Sequence, residues 1–398
     1  MTLLERLKQN LKTRKERVEN NLVNCIPLPF KRFRSELPGI EQGKYYLVSG
    51  QTKSAKTQLA NFLFVYNTVL YCYRNPGVIH PKIFFYPLEE TKENITLRFM
   101  AYLLNKLSRN KYRFSPTELK STDETKPLPD EVLRFMDTME FKTIMDLYES
   151  IISFEEDKNP TGIYKTLTSY AANHGKTVYK TIEKDDGTKV EKFDYYIPDD
   201  PDEYVFIIVD HVSLLETERR SDGRVFDLRE TINKLSEYMI ILRNRYGYIP
   251  VVIQQQSTET ASLEAFKANK IRPTMAGLSD SKYTAKDANV MLGITNPNQH
   301  ELPMYNRYDI TKFQSNLRIM EVVLNRDGQS NGMAALYFDG AINDFQELPR
   351  PDNSSEINEF YKRLEVLRTR PNILFITINK NYRDVIQISS NKGRLPRK

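Results

Sequence analysis

The chain has 398 residues, 40% apolar and 28% charged, enough for one large domain with insertions or two smaller ones. No apolar run approaches the ~20 residues that span a bilayer, the first 22 residues alternate charges with single leucines unlike a secretory leader, and Cys25 and Cys72 stand apart without metal-ligand spacing. These features exclude a membrane span, a disulfide framework and a zinc site, and imply the cytoplasm; the net charge of +6 is uneven, with residues 1–34 and 351–398 together carrying +11 and the stretch between them about −5, which excludes a uniformly basic nucleic-acid coat.

Leu3, Leu4, Leu7, Leu11, Val18 and Leu22 recur at helical spacing and predict one amphipathic helix over 1–24, whose leucines must be buried either on the chain's own domain or on a neighbouring copy. Pro27, Pro29, Pro38 and Gly39 then predict an extended linker. From there to about residue 350 apolar strand candidates recur at Tyr45–Ser49, Lys82–Tyr86, Tyr204–Val209, Pro250–Ile253, Val290–Ile294, Ile319–Leu324 and Met333–Phe338. Several do not alternate, as expected of strands covered on both faces, and helical patterns at Thr57–Tyr73, Glu93–Leu107 and Asp227–Tyr246 separate the early ones. Alternating strand and helix predicts an α/β fold with a parallel-rich sheet. Two stretches read as insertions: the polar, proline-punctuated 108–145, and 177–203, where Asp186-Gly187 between β-prone runs signals a hairpin. The basic extension 351–398 holds a helical piece at Ser355–Thr369 and an apolar strand candidate at Ile373–Ile378.

The segment YYLVSGQTKSAKTQLANFLF places Gly50, Gln51, Thr52, Lys53, Ser54, Ala55, Lys56 and Thr57 between a buried strand and a helix, nearly G-x-x-x-x-G-K-[ST]. Backbone N–H groups of such a loop wrap a phosphate at a helix N-terminus. Lys56 then reaches the outer phosphates and the Thr57 hydroxyl ligates Mg²⁺. Ala55 stands where glycine is expected, which weakens binding if the position needs positive φ. In EYVFIIVDHVSLL an apolar strand ends in Asp210, a carboxylate placed to hold Mg²⁺ beside the loop.

In this order the motifs resemble the RecA-like motor of the DnaB family of replicative helicases, from about Ile26 to Leu348. IPLPF and LPGIEQGKYYLVSG look like the family's lead-in to the loop. KIFFYPLEETKENITLRFMAYLL is similar to the strand ending in its general base, which the resemblance puts on Glu89, with Glu90 as the neighbouring alternative. YIPVVIQQQS looks like the strand ending in a γ-phosphate-sensing glutamine, which falls on Gln256, and IRPTMAGLSDSKYTAKDANVMLGI is similar to the segment closing the second DNA-contacting loop. IMEVVLNRDGQSNGMAALYFDGAINDFQEL resembles the hairpin whose arginine reaches the next subunit's ATP, which implies Arg326; Leu324 replaces a second expected cation.

The resemblance further implies ring-lining loops, with Arg219, Arg220 and Arg224 on the first and Lys267, Lys270 and Arg272 on the second gripping single-stranded DNA by its phosphates. It implies ATP and Mg²⁺ as cofactors, a hexameric homo-oligomer formed through the N-terminal helix, and a primase or loader as further partner, although the family's N-terminal helical domain has no counterpart; such a stripped motor suggests a bacteriophage. Two alternatives stay open: a RecA-like nucleotide-binding assembly that has lost efficient turnover, as Ala55 and Leu324 suggest, and a recombinase-like filament former.

Overall fold

A computed structural model describes residues 2–369 except 21, 221, 258–270 and 301. A nine-stranded sheet organises the chain: β1 (Tyr46–Gly50), β2 (His80–Pro87), β3 (Ile152–Phe154), β4 (Glu203–Asp210), β5 (Ile249–Gln255), β6 (Val290–Thr295), β7 (Leu317–Asn325), β8 (Met333–Asp339) and β9 (Asp344–Glu347). Their order across the sheet is β9-β8-β7-β6-β1-β5-β4-β2-β3. The first six strands pair in parallel, and β7, β8 and β9 extend the β6 edge antiparallel.

The uninterrupted apolar runs are explained by two cores. Along β4, Tyr204, Phe206 and Ile208 enter the core under the helices at residues 56–74, 92–107 and 139–151, whereas Val205, Ile207 and Val209 enter that under Pro160–Asn173 and Leu228–Tyr246. With helices on both faces, each side chain finds apolar cover whichever way the pleat turns it. The seven predicted strands are present within one or two residues at most ends.

Two expectations need correcting. The proline-rich lead-in is folded into the domain: Ile26–Pro27 pairs with Gly39–Ile40, and Phe30, Phe33 and Leu37 between them are buried. The second half of 108–145 belongs to the helical layer. Here Asp130–Met136 and Met139–Ile151 bury Val132, Phe141, Ile144 and Tyr148, and Tyr148 stacks on Phe99 at 4.5 Å. Charges and prolines conceal that helical spacing. The segment also delivers β3, too short to stand out as a strand.

The hairpin forms from Gly175–Glu183 and Lys189–Pro198, with Gly187 at φ 79° in its turn. The N-terminal helix, α1 (Leu3–Glu19), starts on a Thr2/Glu5 capping box. It meets the domain through its polar side. Arg17 pairs with Asp202 at 2.6 Å, Arg14 with Glu41 at 3.0 Å, and Arg6 lies over the Tyr195 ring, while Leu4, Leu7, Leu11 and Val18 face outward and are exposed. The helix at Ser354–Thr369 packs Ile357, Tyr361 and Leu364 around Phe313. The strand candidate at 373–378 and the basic end lie outside the described residues, of which no helix is long and apolar enough to cross a membrane.

Candidate nucleotide site

β1 ends at Gly50, where a Cβ would collide with the Ser54 hydroxyl and lie 2.6 Å from the Ile294 carbonyl oxygen. Only glycine lets the loop turn so close to β6. Residues 51–55 then curl back, with the Ser54 N–H donating to the Gln51 carbonyl at 3.1 Å, and the helix begins at Lys56. Ala55 adopts φ 75° and ψ 34°, the left-handed conformation for which glycine is the natural choice. Strain of ~1–2 kcal/mol at Ala55 is opposed by the ~0.4–1 kcal/mol that glycine's flexible unfolded state would cost. Ala55→Gly is therefore expected to stabilise the fold by about 0.5 kcal/mol, read as a raised urea midpoint at constant slope; a lowered midpoint would contradict it.

Opposite the loop, β4 carries Asp210 to the same edge of the sheet. The Thr57 hydroxyl donates to Asp210 Oδ1 at 3.0 Å. Asp210 is 3% exposed, and burial pushes its carboxyl up to about 7; the Thr57 bond and Lys56 resist that rise, and Glu89 and Glu90 add to it. Burial likewise lowers Lys56, against the pull of Glu89 and Asp210. Lys56, Asp210 and Glu89 thus feel one another in a single cleft. Glu89 Oε2 lies 3.7 Å from His211 Nε2, an imidazole held down by burial and by Lys56. Glu90 turns away into an ion pair with Arg98 at 2.6 Å, leaving Glu89 as the carboxylate that faces the cleft.

A buried carboxylate whose one hydrogen-bond donor is a hydroxyl suits a hard cation. Among the described residues no trio of His, Cys, Asp or Glu is gathered as a protein-only cage. Thr57 and Asp210 would therefore hold Mg²⁺ together with phosphate oxygens and water, the usual sparse protein share for this ion.

The three consecutive glutamines divide differently from the expectation. Gln256, 1% exposed, donates to the Ser49 hydroxyl at 2.8 Å and the Thr274 carbonyl at 3.1 Å, and accepts from the Thr274 N–H at 3.3 Å. It sits behind the loop, engaged on both sides. Gln255, opposite Gly50 in the sheet register, reaches the loop itself by donating to the Thr52 hydroxyl at 2.8 Å. Strand pleat aims the middle glutamine of QQQ at the loop, and sequence spacing alone does not reveal that choice.

Arg326 lies outside this cluster. It is exposed just past β7, folded onto its own backbone, where Nε donates to the Ala288 carbonyl at 2.8 Å and Nη2 to that of Lys286. Leu324 packs on the core beside it. In the first basic loop Arg219 and Arg224 are exposed, but Arg220 is committed to Glu230 and lies over Phe226. Arg272 is paired with the buried Glu321 at 2.9 Å, and Lys267 and Lys270 fall outside the described residues.

No protein-family model and no curated protein matches this sequence. Among solved structures, a free-standing ATPase domain is similar over 86% of this chain and 99% of its own, with a TM-score of 0.59 at 14% identity. The fold is RecA-like. A DnaB-like replicative helicase, solved in a study of its interactions with primase, is also similar, with a TM-score of 0.56 at 13% identity; the match covers 86% of this chain and 66% of that one. The RecA-like sheet puts Gly50, Gln255, Asp210 and Pro87 at its parallel strands' C-terminal ends, where α/β folds bind ligands.

Proposed function

We propose that the chain is an ATP-hydrolysing motor that assembles as a ring, most simply a hexamer, and moves along single-stranded DNA as a replicative helicase. The observation that carries this reading is the convergence of Lys56, Thr57, Asp210 and Glu89 on one cleft. Loop N–H groups and Lys56 bind the outer phosphates of ATP, and Thr57 and Asp210 hold Mg²⁺, which when bound neutralises phosphate charge. Glu89 orients the attacking water and takes its proton. Gln255 registers the state of the loop through Thr52, and Gln256 ties Ser49 at its base to Thr274, just beyond the second basic loop. Arg219 and Arg224, with Lys267 and Lys270, grip DNA phosphates without reading bases.

A neighbouring copy covers the outward leucines of α1, since polar contacts already hold its other side to the domain. That arrangement supplies the assembly in which Arg326 acts on an adjacent site.

An ATPase assay with and without oligo-dT tests the reading. Turnover should rise with DNA, that stimulation should fade steeply with salt, and Lys56→Ala should abolish it. Turnover indifferent to DNA and to Lys56→Ala would refute it. A second reading, a nucleotide-binding assembly with weak turnover, draws on the strained Ala55 and on Leu324 lying against the core. Tight ATP binding by rings that do not hydrolyse would select it.

A further inference from the structure

Arg318 is the only cation within β7, in the run LRIMEVVLN, and its side chain lies behind the phosphate loop, 5% exposed. Nε donates to the Ser54 carbonyl at 2.8 Å. Nη1 donates to the carbonyls of Ser315 at 2.6 Å and Leu317 at 2.9 Å, and the guanidinium lies over the Phe338 ring, 5.1 Å from its centroid. Among the described residues no carboxylate pairs with it, and the buried Glu321 on the same strand is taken by Arg272. Burial pushes Arg318 down to about 10, against the usual behaviour of a guanidinium. A buried cation without a counter-ion destabilises a fold unless a ligand supplies the missing charge.

The ligand side is one peptide away. In a trans peptide the carbonyl and the following N–H point in opposite directions. Holding the Ser54 carbonyl toward β7 therefore turns the Ala55 N–H away from it, and that N–H has no acceptor among the described residues. Successive N–H groups freed in this way are what make an anion-binding nest. Ala55 is also the residue held in the left-handed conformation without glycine's freedom.

We propose that Arg318 is a positioning residue for the nucleotide: it pins the Ser54–Ala55 peptide in its phosphate-binding orientation and lends a buried positive charge to the triphosphate from behind, opposite Lys56. The inference rests on the nucleotide reading above and deepens it. The held peptide does for this loop what glycine does elsewhere by needing no restraint.

Titration of the full chain with a fluorescent ATP analogue, alongside thermal unfolding without nucleotide, tests this. Arg318→Met is expected to raise the dissociation constant about tenfold, equivalent to ~1.4 kcal/mol. Its nucleotide-free melting temperature should be unchanged or higher, because an unpaired buried charge has been removed. Arg318→Lys keeps the charge but loses the fork, and should recover part of the affinity. Ala55→Gly should reduce the penalty of Arg318→Met, since both act on one peptide. Wild-type affinity in Arg318→Met, or affinity and melting temperature falling together in both Arg318 variants, would overturn the proposal by showing no role or a merely structural one. Absence of binding by the unsubstituted chain would instead overturn the nucleotide reading, and this inference with it.

Discussion

Mixing Arg326→Ala subunits with Lys56→Ala subunits is expected to restore ATP turnover that neither variant shows alone. The reason lies in the sheet. Gly50 pairs with Ile294 at the C-terminal end of β6, whereas Asn325, next to Arg326, pairs with Val290 at the start of that strand. Four residues of strand separate the two levels, ~13 Å, so Arg326 stands at the opposite edge of the sheet from its own loop. Any contact it makes with a phosphate must be with another copy's. A guanidinium entering in trans accelerates phosphoryl transfer ~10³–10⁵-fold, and Arg326→Ala should lose turnover on that scale while still binding nucleotide. In an equal mixture about a quarter of the interfaces would join an intact Lys56 site to an intact Arg326. Those interfaces should hydrolyse ATP. A mixture as inactive as its components, or an Arg326→Ala protein with full turnover, would remove Arg326 from the mechanism.

What can be read in the sequence follows from how strongly local chemistry constrains each element. Buried parallel strands need apolar side chains on both faces, so Tyr204–Val209 and Val290–Ile294 announce themselves, and the phosphate loop is spelled out by Gly50, Lys56 and Thr57. β3 and β9, with three and four residues, carry too little pattern to be separated from loops. Gln255 and Gln256 are indistinguishable until the pairing of Gly50 with Gln255 fixes which one meets the loop. Arg220 and Arg272 read as free cations because their partners, Glu230 and Glu321, are distant in the chain or on another element. Arg318 is silent for a similar reason: an arginine in an apolar strand gives no hint of the Ser54 carbonyl, 264 positions away, that it holds. The leucines of α1 signal a need for burial, and folding leaves that need unmet within one chain.

The two neighbouring glutamates offer the sharpest division between chemistry and scaffold. Glu89→Gln is expected to lower kcat ~10²–10⁴-fold, the usual contribution of a positioned general base, because an amide cannot accept the proton of the attacking water. Nucleotide affinity should change little, since Lys56 and the loop N–H groups remain. Glu90→Gln breaks an ion pair with Arg98 in which both side chains are one-quarter exposed. That loss should appear as ~0.5–1 kcal/mol of stability in denaturant titrations, with turnover retained. His211, 3.7 Å from Glu89, stays in place in both variants and serves as the internal control for cleft geometry. Measured side by side, kcat and unfolding midpoints should move in opposite members of the pair. If Glu90→Gln abolishes turnover while Glu89→Gln leaves it intact, the base has been assigned to the wrong carboxylate and the water must approach from the Arg98 side. If neither changes kcat, hydrolysis by this cleft relies on no carboxylate base, and the weak-turnover assembly becomes the better description.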